Sequence, residues 1–140
     1  MSSKVSIGEV NPNSAVKGEL HRDLYREIFI HSNEPIAIID PEGHYLEQNT
    51  AHAQLLGYSD AELQNQTPAI HLGADVFAEV VRELAEKTEY RGDVVSKTKA
   101  GELRHIELSA FAMRTESGQP LYYVGIKRDI TERKRVEQAL

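Results

Sequence analysis

The residues best suited to bind a ligand or react with one are the six histidines, because the chain of 140 residues contains no cysteine. Without cysteine it can form neither disulfides nor thiolate metal sites, and it has no cysteine nucleophile. His21 and His31 lie ten residues apart on a predicted helix and form no obvious metal site. Three others are expected at the surface or pointing outward from a strand: His44, His52 and His105. The sixth, His71, lies in an irregular stretch just before a predicted long helix.

Two basic residues could bind a small carboxylate, which needs Arg or Lys together with backbone donors. Lys127 and Arg104 are the candidates if their side chains turn inward, whereas Arg91 is expected to be solvated. Catalysis is not supported, because Ser, His and Asp are scattered over unrelated elements. The glycines are too isolated to form a phosphate-binding loop. The chain is therefore predicted not to be an enzyme.

The composition indicates one soluble domain. Its length is enough for a hydrophobic core, and 40% apolar with 27% charged residues is ordinary for a globular protein. The net charge of −6 disfavours a nucleic-acid surface. No apolar run reaches membrane-spanning length, and the first residues lack the apolar core of a signal peptide. We expect a cytoplasmic protein with no nucleic-acid partner and no membrane contact in this segment.

Periodicity predicts the elements that must position these residues. Residues 1–17 are expected to be a flexible lead, followed by an amphipathic helix from Glu19 with the apolar stripe Leu20, Leu24 and Ile28. The later elements are predicted in this order: strands 36–40 and 44–48, short helices at 50–56 and from 59, an irregular stretch 68–73, a helix 74–87, and strands 90–98, 103–114 and 120–128. Hairpins at both ends imply an antiparallel sheet with helices on one face, an α+β fold.

The last strand runs directly into Asp129, Ile130 and Thr131 and then into a charged helix, residues 132–140. Asp129 or Thr131 can accept the free N–H groups at the start of that helix. A helix this short is marginal alone in water. We interpret residues 18–131 as the domain with its flanking helix, and residues 132–140 as the start of a connector.

Five short motifs occur in order along the chain: Asn49-Thr50-Ala51, Leu56-Gly57-Tyr58-Ser59, Lys99-Ala100-Gly101-Glu102, Tyr122-Tyr123-Val124-Gly125 and Asp129-Ile130-Thr131-Glu132-Arg133. Together they resemble the PAS sensory domain family over about residues 20–133. The resemblance implies a five-stranded antiparallel sheet in the order 2-1-5-4-3, with a pocket between its inner face and the short helices. It also implies that the stretch after the last strand transmits a signal.

The resemblance and the strand alternation together suggest the pocket residues. The predicted lining is Ile38, Leu55, Phe77, Val80, Ile106, Leu108, Ala110, Tyr123, Gly125 and Lys127. Tyr122, Val124 and Ile126 are expected to pack against the N-terminal helix. The small side chains of Ala110 and Ala112 leave room, so the pocket is either a ligand cavity or is filled by larger side chains from the helices.

The family's cofactors can be compared with the residues present. Its flavin photoadduct and coumaric-acid sensors need a cysteine, which this chain lacks, and Lys127 stands where the flavin sensors place glutamine. Redox flavin binding without an adduct stays open. Haem usually takes an axial histidine. In the common haem-binding members of the family that ligand lies on the long helix, which has no histidine here. Some members place it in the stretch before that helix, so the resemblance implies His71 as the possible ligand.

The leading hypothesis is a non-enzymatic sensory or signal-relay domain. It would dimerise through the stripe on the first helix and pass a signal through Asp129, Ile130 and Thr131 to a C-terminal effector of the histidine kinase or diguanylate cyclase type. The alternatives are a haem-based gas or redox sensor with His71 as axial ligand, and a purely structural dimerisation module with a filled pocket.

Overall fold

The computed structural model describes residues 12–140, with side chains from residue 18 onward. The first helix, α1, spans Pro12–His31. It therefore begins inside the predicted flexible lead, of which residues 1–11 lie outside the described residues. The other elements are β1 (Ile36–Ile39), β2 (Tyr45–Gln48), α2 (Thr50–Leu56), α3 (Asp60–Leu63), α4 (Ala69–Leu72), α5 (Ala74–Lys87), β3 (Glu89–Lys97), β4 (Leu103–Arg114), β5 (Pro120–Asp129) and α6 (Thr131–Ala139). None of the described helices is long and apolar enough to cross a membrane.

The five strands form one antiparallel sheet in the order β2-β1-β5-β4-β3. This order confirms the predicted α+β architecture. The central strand β5 pairs with β1 on one side and with β4 on the other. Helices α2, α4 and α5 contact one face of the sheet, which we call the inner face. The arrangement leaves the C-terminal end of β5 directly before α6.

Local sequence signals set the ends of α2 and α3. The side chain of Asn49 accepts the His52 N–H at the start of α2, and Gly57, at φ 84°, ends that helix. Ser59 and Glu62 form a capping box at the start of α3, as their spacing predicts. These caps satisfy N–H groups that an isolated helix would leave unpaired.

The stretch 68–73 is not irregular, contrary to the prediction. It contains one helical turn, α4, which follows Pro68 and ends at Gly73. Proline is tolerated at a helix start, where its missing N–H would have had no partner. The turn brings His71 and Leu72 into the interior, where they are 3% and 8% exposed.

Strand β4 alternates between the two faces of the sheet, as predicted. Ile106, Leu108 and Ala110 are buried on the inner face, whereas Phe111 and Met113 on the outer face are 38% and 44% exposed. The inner residues form the main core together with side chains of α4, α5 and β3. Small residues on this face leave space between the sheet and the helices.

Ile38 lies on the outer face, so its predicted place in the pocket is wrong. Its neighbours Ala37 and Ile39 are buried on the inner face, and Ile38 pairs with Val124 across the sheet. All four residues of β1 are apolar, so the sequence shows no alternation there. An error of one residue in such a strand moves each side chain to the opposite face.

The apolar stripe of α1 does not cover the sheet. Its three residues are exposed: Leu20 60%, Leu24 54% and Ile28 62%. The main contact of α1 is with α2. The prediction that α1 packs over Tyr122, Val124 and Ile126 is therefore wrong, and Tyr122 is 42% exposed. In the linker after α1, the Glu34 carbonyl accepts a hydrogen bond from Asn49 Nδ2 over 2.9 Å, which ties this linker to the start of α2.

Candidate functional site

A cavity of about 250 Å³ lies between the inner face and helices α4 and α5. We call it the inner cavity. Apolar side chains of Phe77, Val80 and Leu84 from α5 form one wall, and Leu108 and Ala110 of β4 form the opposite wall. Tyr123, Gly125 and Lys127 of β5 complete it. A cavity with apolar walls and a few polar groups is the usual form of a small-molecule site.

Seven of the ten predicted pocket residues line this cavity: Phe77, Val80, Leu108, Ala110, Tyr123, Gly125 and Lys127. Ile106 is fully buried in the core cluster behind the lining, and Leu55 of α2 packs against the same cluster without lining the cavity. Ile38 points to the other face, as described above. The three predicted residues that do not line the cavity therefore come from β1, α2 and β4.

Lys127 is the unusual member of the lining, because its side chain is 4% exposed. Its Nζ lies 2.9 Å from His52 Nε2. Burial lowers the pKa of Lys127 to about 7, since desolvation disfavours the charged ammonium. No carboxylate in the described part of the chain forms an ion pair with it. The other predicted carboxylate-binding residue, Arg104, does not enter the cavity; it forms ion pairs with Asp129 and Glu102 at the surface. Lys127 is thus a buried amine, about half protonated near pH 7, whose hydrogen-bond partner among the described residues is the imidazole of His52.

His52 is fully buried, so its predicted surface position is wrong. It lies four residues before the buried Leu56 on the inward face of α2, and this spacing was the available signal. Its Nδ1 lies 2.7 Å from Gln48 Oε1, an acceptor. Nδ1 therefore carries the proton, and Nε2 accepts from Lys127. Burial first, then the charge of Lys127 and the nearby His71, lower the pKa of His52 far below its usual range.

His71 is buried beside this pair, and both of its ring nitrogens have side-chain partners. Nδ1 lies 2.9 Å from Ser96 Oγ, and Nε2 lies 2.8 Å from Tyr45 Oη. Burial lowers the pKa of His71 well below its usual range, with Lys127 adding to the effect. Burial likewise raises the pKa of Tyr45 above its usual range. Tyr45, His52, His71, Ser96 and Lys127 form what we call the polar cluster.

The residues of the polar cluster do not fit a haem. An axial histidine must offer a free ring nitrogen to the iron, and the two nitrogens of His71 are occupied by Ser96 and Tyr45. Within the described residues there is also no group of three His, Asp or Glu side chains that could hold a metal ion. The geometry instead favours a site for a small organic molecule.

A second cavity, about 700 Å³, lies where α1 meets α2 and β2. Arg26, Phe29 and Ile30 form the α1 side, and Asp60 and Gln64 are among the residues opposite. On its α1 side Arg26 is exposed and Phe29 and Ile30 are half-buried. This second cavity contains no buried charge in need of a partner, so we take the inner cavity as the candidate site.

The strand-to-helix junction joins β4, β5 and α6. Asp129 Oδ1 accepts the N–H of Thr131, the first residue of α6, over 2.9 Å, while the N-cap residue itself, Ile130, offers no side-chain cap. The Thr131 hydroxyl does not cap the helix; it accepts the His105 N–H over 2.9 Å. The Ile130 N–H donates to the His105 carbonyl over 2.8 Å. The start of α6 is thus bonded to β4 as well as to the end of β5, two residues beyond Lys127.

Comparison with known proteins agrees with the fold. A sequence profile described as the PAS fold matches residues 29–135. The nitrogen fixation regulatory protein of Klebsiella oxytoca is 23% identical over 133 residues, 90% of this chain and 27% of that protein. The methyl sulfide methyltransferase-associated sensor of Methanosarcina acetivorans is 29% identical over 140 residues, 96% of this chain and 14% of that protein. A probable diguanylate cyclase of Escherichia coli is 31% identical over 119 residues, 81% of this chain and 11% of that protein.

Solved structures show the same fold. The PAS domain of a protein from Colwellia psychrerythraea superposes with a TM-score of 0.72 at 23% identity, covering 80% of this chain and 98% of that one. A domain of a sensory box sensor histidine kinase/response regulator from Geobacter sulfurreducens gives 0.67 at 28% identity, covering 79% and 96%. The chain spans 27% or less of the length of the three relatives named above. It corresponds in extent to a single domain of such proteins, and it belongs to the PAS family.

Proposed function

We propose that this PAS domain is a non-enzymatic sensor that binds a small molecule in the inner cavity and passes the signal to α6. The observation that carries the proposal is the cavity itself, about 250 Å³ in volume, with the buried Lys127 in its wall. A domain that needed only a filled core would gain by closing this space, because empty volume costs free energy. It would gain further by replacing a buried lysine with an apolar residue.

The route to the output runs along β5. Lys127 lines the cavity, and Asp129, two residues later, holds the first N–H of α6. Leu108 of β4 pairs with Lys127, and His105 of the same strand holds both Ile130 and Thr131. A ligand that displaces Lys127 would therefore shift β4 and β5, and both strands are hydrogen-bonded to the start of α6.

The proposed output is an effector domain after α6, of the histidine kinase or diguanylate cyclase type. Support comes from the relatives, which include a sensor and a probable diguanylate cyclase. A structural neighbour is itself a domain of a sensor histidine kinase/response regulator. The match to each curated relative covers only a small part of its length, as expected for one module among several.

A further part of the proposal is a homodimer through α1. Leu20, Leu24 and Ile28 recur every four residues and stay exposed in the single chain. A second copy offers the same stripe, so a two-fold pairing would cover both. Sedimentation equilibrium of the wild type tests this point, and a monomer at high concentration would refute it.

Filling the inner cavity tests the sensor proposal. Ala110 lies on the inner face opposite Gly125, so the ring of Ala110→Phe should enter the cavity. We expect the wild type to bind at least one of hexan-1-ol, hexanoate and hexylamine, detected by saturation-transfer NMR. Ala110→Phe should bind none of them and still melt cooperatively.

The matched control is Ser109→Phe, which adds the same ring one residue away on the opposite face of β4. This variant should bind as the wild type does. Undiminished binding to Ala110→Phe would place the ligand elsewhere. A wild type that binds none of the three probes would support the structural module with a filled pocket.

A further inference from the structure

We propose, on the basis of the sensor function above, that the inner cavity takes a small carboxylate with an apolar tail, and that the carboxylate pairs with Lys127. The ligand would thereby supply the counter-ion of Lys127, which none of the described residues provides. Three observations carry this inference: a buried ammonium group, the neutral groups around it, and the apolar walls of the rest of the cavity.

The first observation is the incomplete coordination of the ammonium group. A lysine Nζ has three N–H donors, and one of them is directed to His52 Nε2 at 2.9 Å. A side chain at position 125 would bring its Cβ into van der Waals contact with Nζ, at 3.8 Å. Gly125 therefore places no side chain against this side of the amine. A buried charge is ordinarily paired, so the remaining donors favour an anionic acceptor.

The second observation concerns the titratable groups packed around Lys127. His52 from α2 and His71 from α4 are both neutral, and Tyr45 from β2 keeps its proton. Glu42, in the turn between β1 and β2, lines the same cavity but its side chain is exposed. None of these groups supplies a buried negative charge. A carboxylate in the cavity would meet one cation and no competing anion in the core.

The third observation is the chemistry and size of the remaining space. Phe77, Val80, Leu84 and Leu108 surround it. Its volume of about 250 Å³ equals roughly eight water molecules at about 30 Å³ each. A tail of several carbons fits this volume and would bury apolar surface. Hexanoate has a suitable size and charge and serves as the probe.

Binding of a carboxylate should be coupled to proton uptake. Free Lys127 is half protonated near pH 7, and a bound carboxylate favours the charged form, so binding raises its pKa. Below about pH 7 the lysine is already charged, and affinity for hexanoate should be flat. Above that value binding must take up a proton, and affinity should fall about tenfold per pH unit.

The test is isothermal titration calorimetry of the wild type with hexanoate and hexan-1-ol at pH 6 and pH 8. Each titration is repeated in two buffers that differ in ionisation enthalpy, because the difference in measured heat gives the number of protons taken up on binding. We expect hexanoate to bind at least about tenfold more tightly than hexanol at pH 6, as for hydrogen bonds to a charged group. Proton uptake on binding hexanoate should be near zero at pH 6 and near one proton at pH 8. Binding of hexanol should be accompanied by no proton uptake at either pH.

Two variants separate this inference from the sensor proposal. Lys127→Met keeps the cavity and should bind hexanol but lose the preference for hexanoate. Ala110→Phe keeps the ammonium but fills the cavity, and should bind neither. If the wild type bound hexanoate and hexanol equally tightly, the proposal of a carboxylate ligand would be wrong, but the cavity could still be a ligand site. The proposal would also be wrong if no carboxylate from acetate to octanoate bound.

Discussion

At pH 5.5 the domain is expected to have lost about 3 kcal/mol of the unfolding free energy that it has at pH 7.5. The cause is the pair of neutral histidines in the polar cluster. His52 and His71 are 0% and 3% exposed, and their pKa values are held well below the usual range. The loss would be a large fraction of the stability of an ordinary domain, about 5 to 15 kcal/mol.

The direction follows from proton binding. In the unfolded chain both histidines take up a proton near pH 6.5, whereas in the folded chain they stay neutral. Their contribution to stability is therefore complete above that pH and is lost as the pH falls, by about 1.4 kcal/mol per pH unit for each histidine. Lys127, with a pKa lowered to about 7, completes its protonation in the folded state between about pH 8 and 6, and so adds a loss of under about 1 kcal/mol in the same direction.

Urea unfolding at a series of pH values measures this loss. His52→Gln and His71→Gln should each reduce the loss between pH 7.5 and 5.5 by about half. His21→Gln is the control, since His21 is exposed on α1, and it should leave the pH dependence unchanged. A stability that is flat over this range would show that the two histidines are not neutral and buried as described.

Asn49→Ala is expected to cost about 3 kcal/mol, an effect of similar size. Asn49 is 1% exposed. Its Oδ1 accepts the N–H groups of His52 and Ile36, each over 3.0 Å, and its Nδ2 donates to the Glu34 carbonyl. Loss of the helix cap alone costs about 1 kcal/mol. The two other groups would be left part-buried without a partner, at about 1 kcal/mol or more each.

Ser59→Ala is the matched comparison, because Ser59 also caps a short helix but at an exposed site. It should cost about 1 kcal/mol. Denaturant midpoints of the two variants give the difference directly. Equal losses would mean that Asn49 acts as an ordinary cap, and that its bonds to the linker and β1 contribute nothing to stability.

The sequence was sufficient to predict the topology. Capping signals at Asn49 and Ser59, the glycine turns and the alternation in β4 are local, and each depends on residues close together in the chain. They predicted the elements and an antiparallel sheet, whereas the strand order was implied by the family resemblance that the ordered motifs carry. One of the stretches predicted wrongly, residues 68–73, holds a helix of a single turn, which is too short to show a helical period.

The polar cluster could not be predicted in the same way. Its members come from β2, α2, α4, β3 and β5, and the contact between His52 and Lys127 joins residues 75 positions apart. A histidine or lysine is ordinarily exposed, so the expectation for His52 followed the common case. Only the spacing of His52 from Leu56 on α2 indicated otherwise. The place of Lys127 on the inner face of β5 was predicted, but its neutral neighbours were not.

The central claim is that a ligand in the inner cavity changes the structure at the start of α6. An ¹H–¹⁵N NMR titration of the wild type with hexanoate tests it most directly, with Asp129→Ala as the comparison. We predict shifts at the amides that line the cavity and also at His105, Thr131 and Lys134, with the α6 shifts lost in Asp129→Ala because its bond to the Thr131 N–H is gone. Shifts that stop at Lys127, or that fall only on the groove beside α1, would contradict the account.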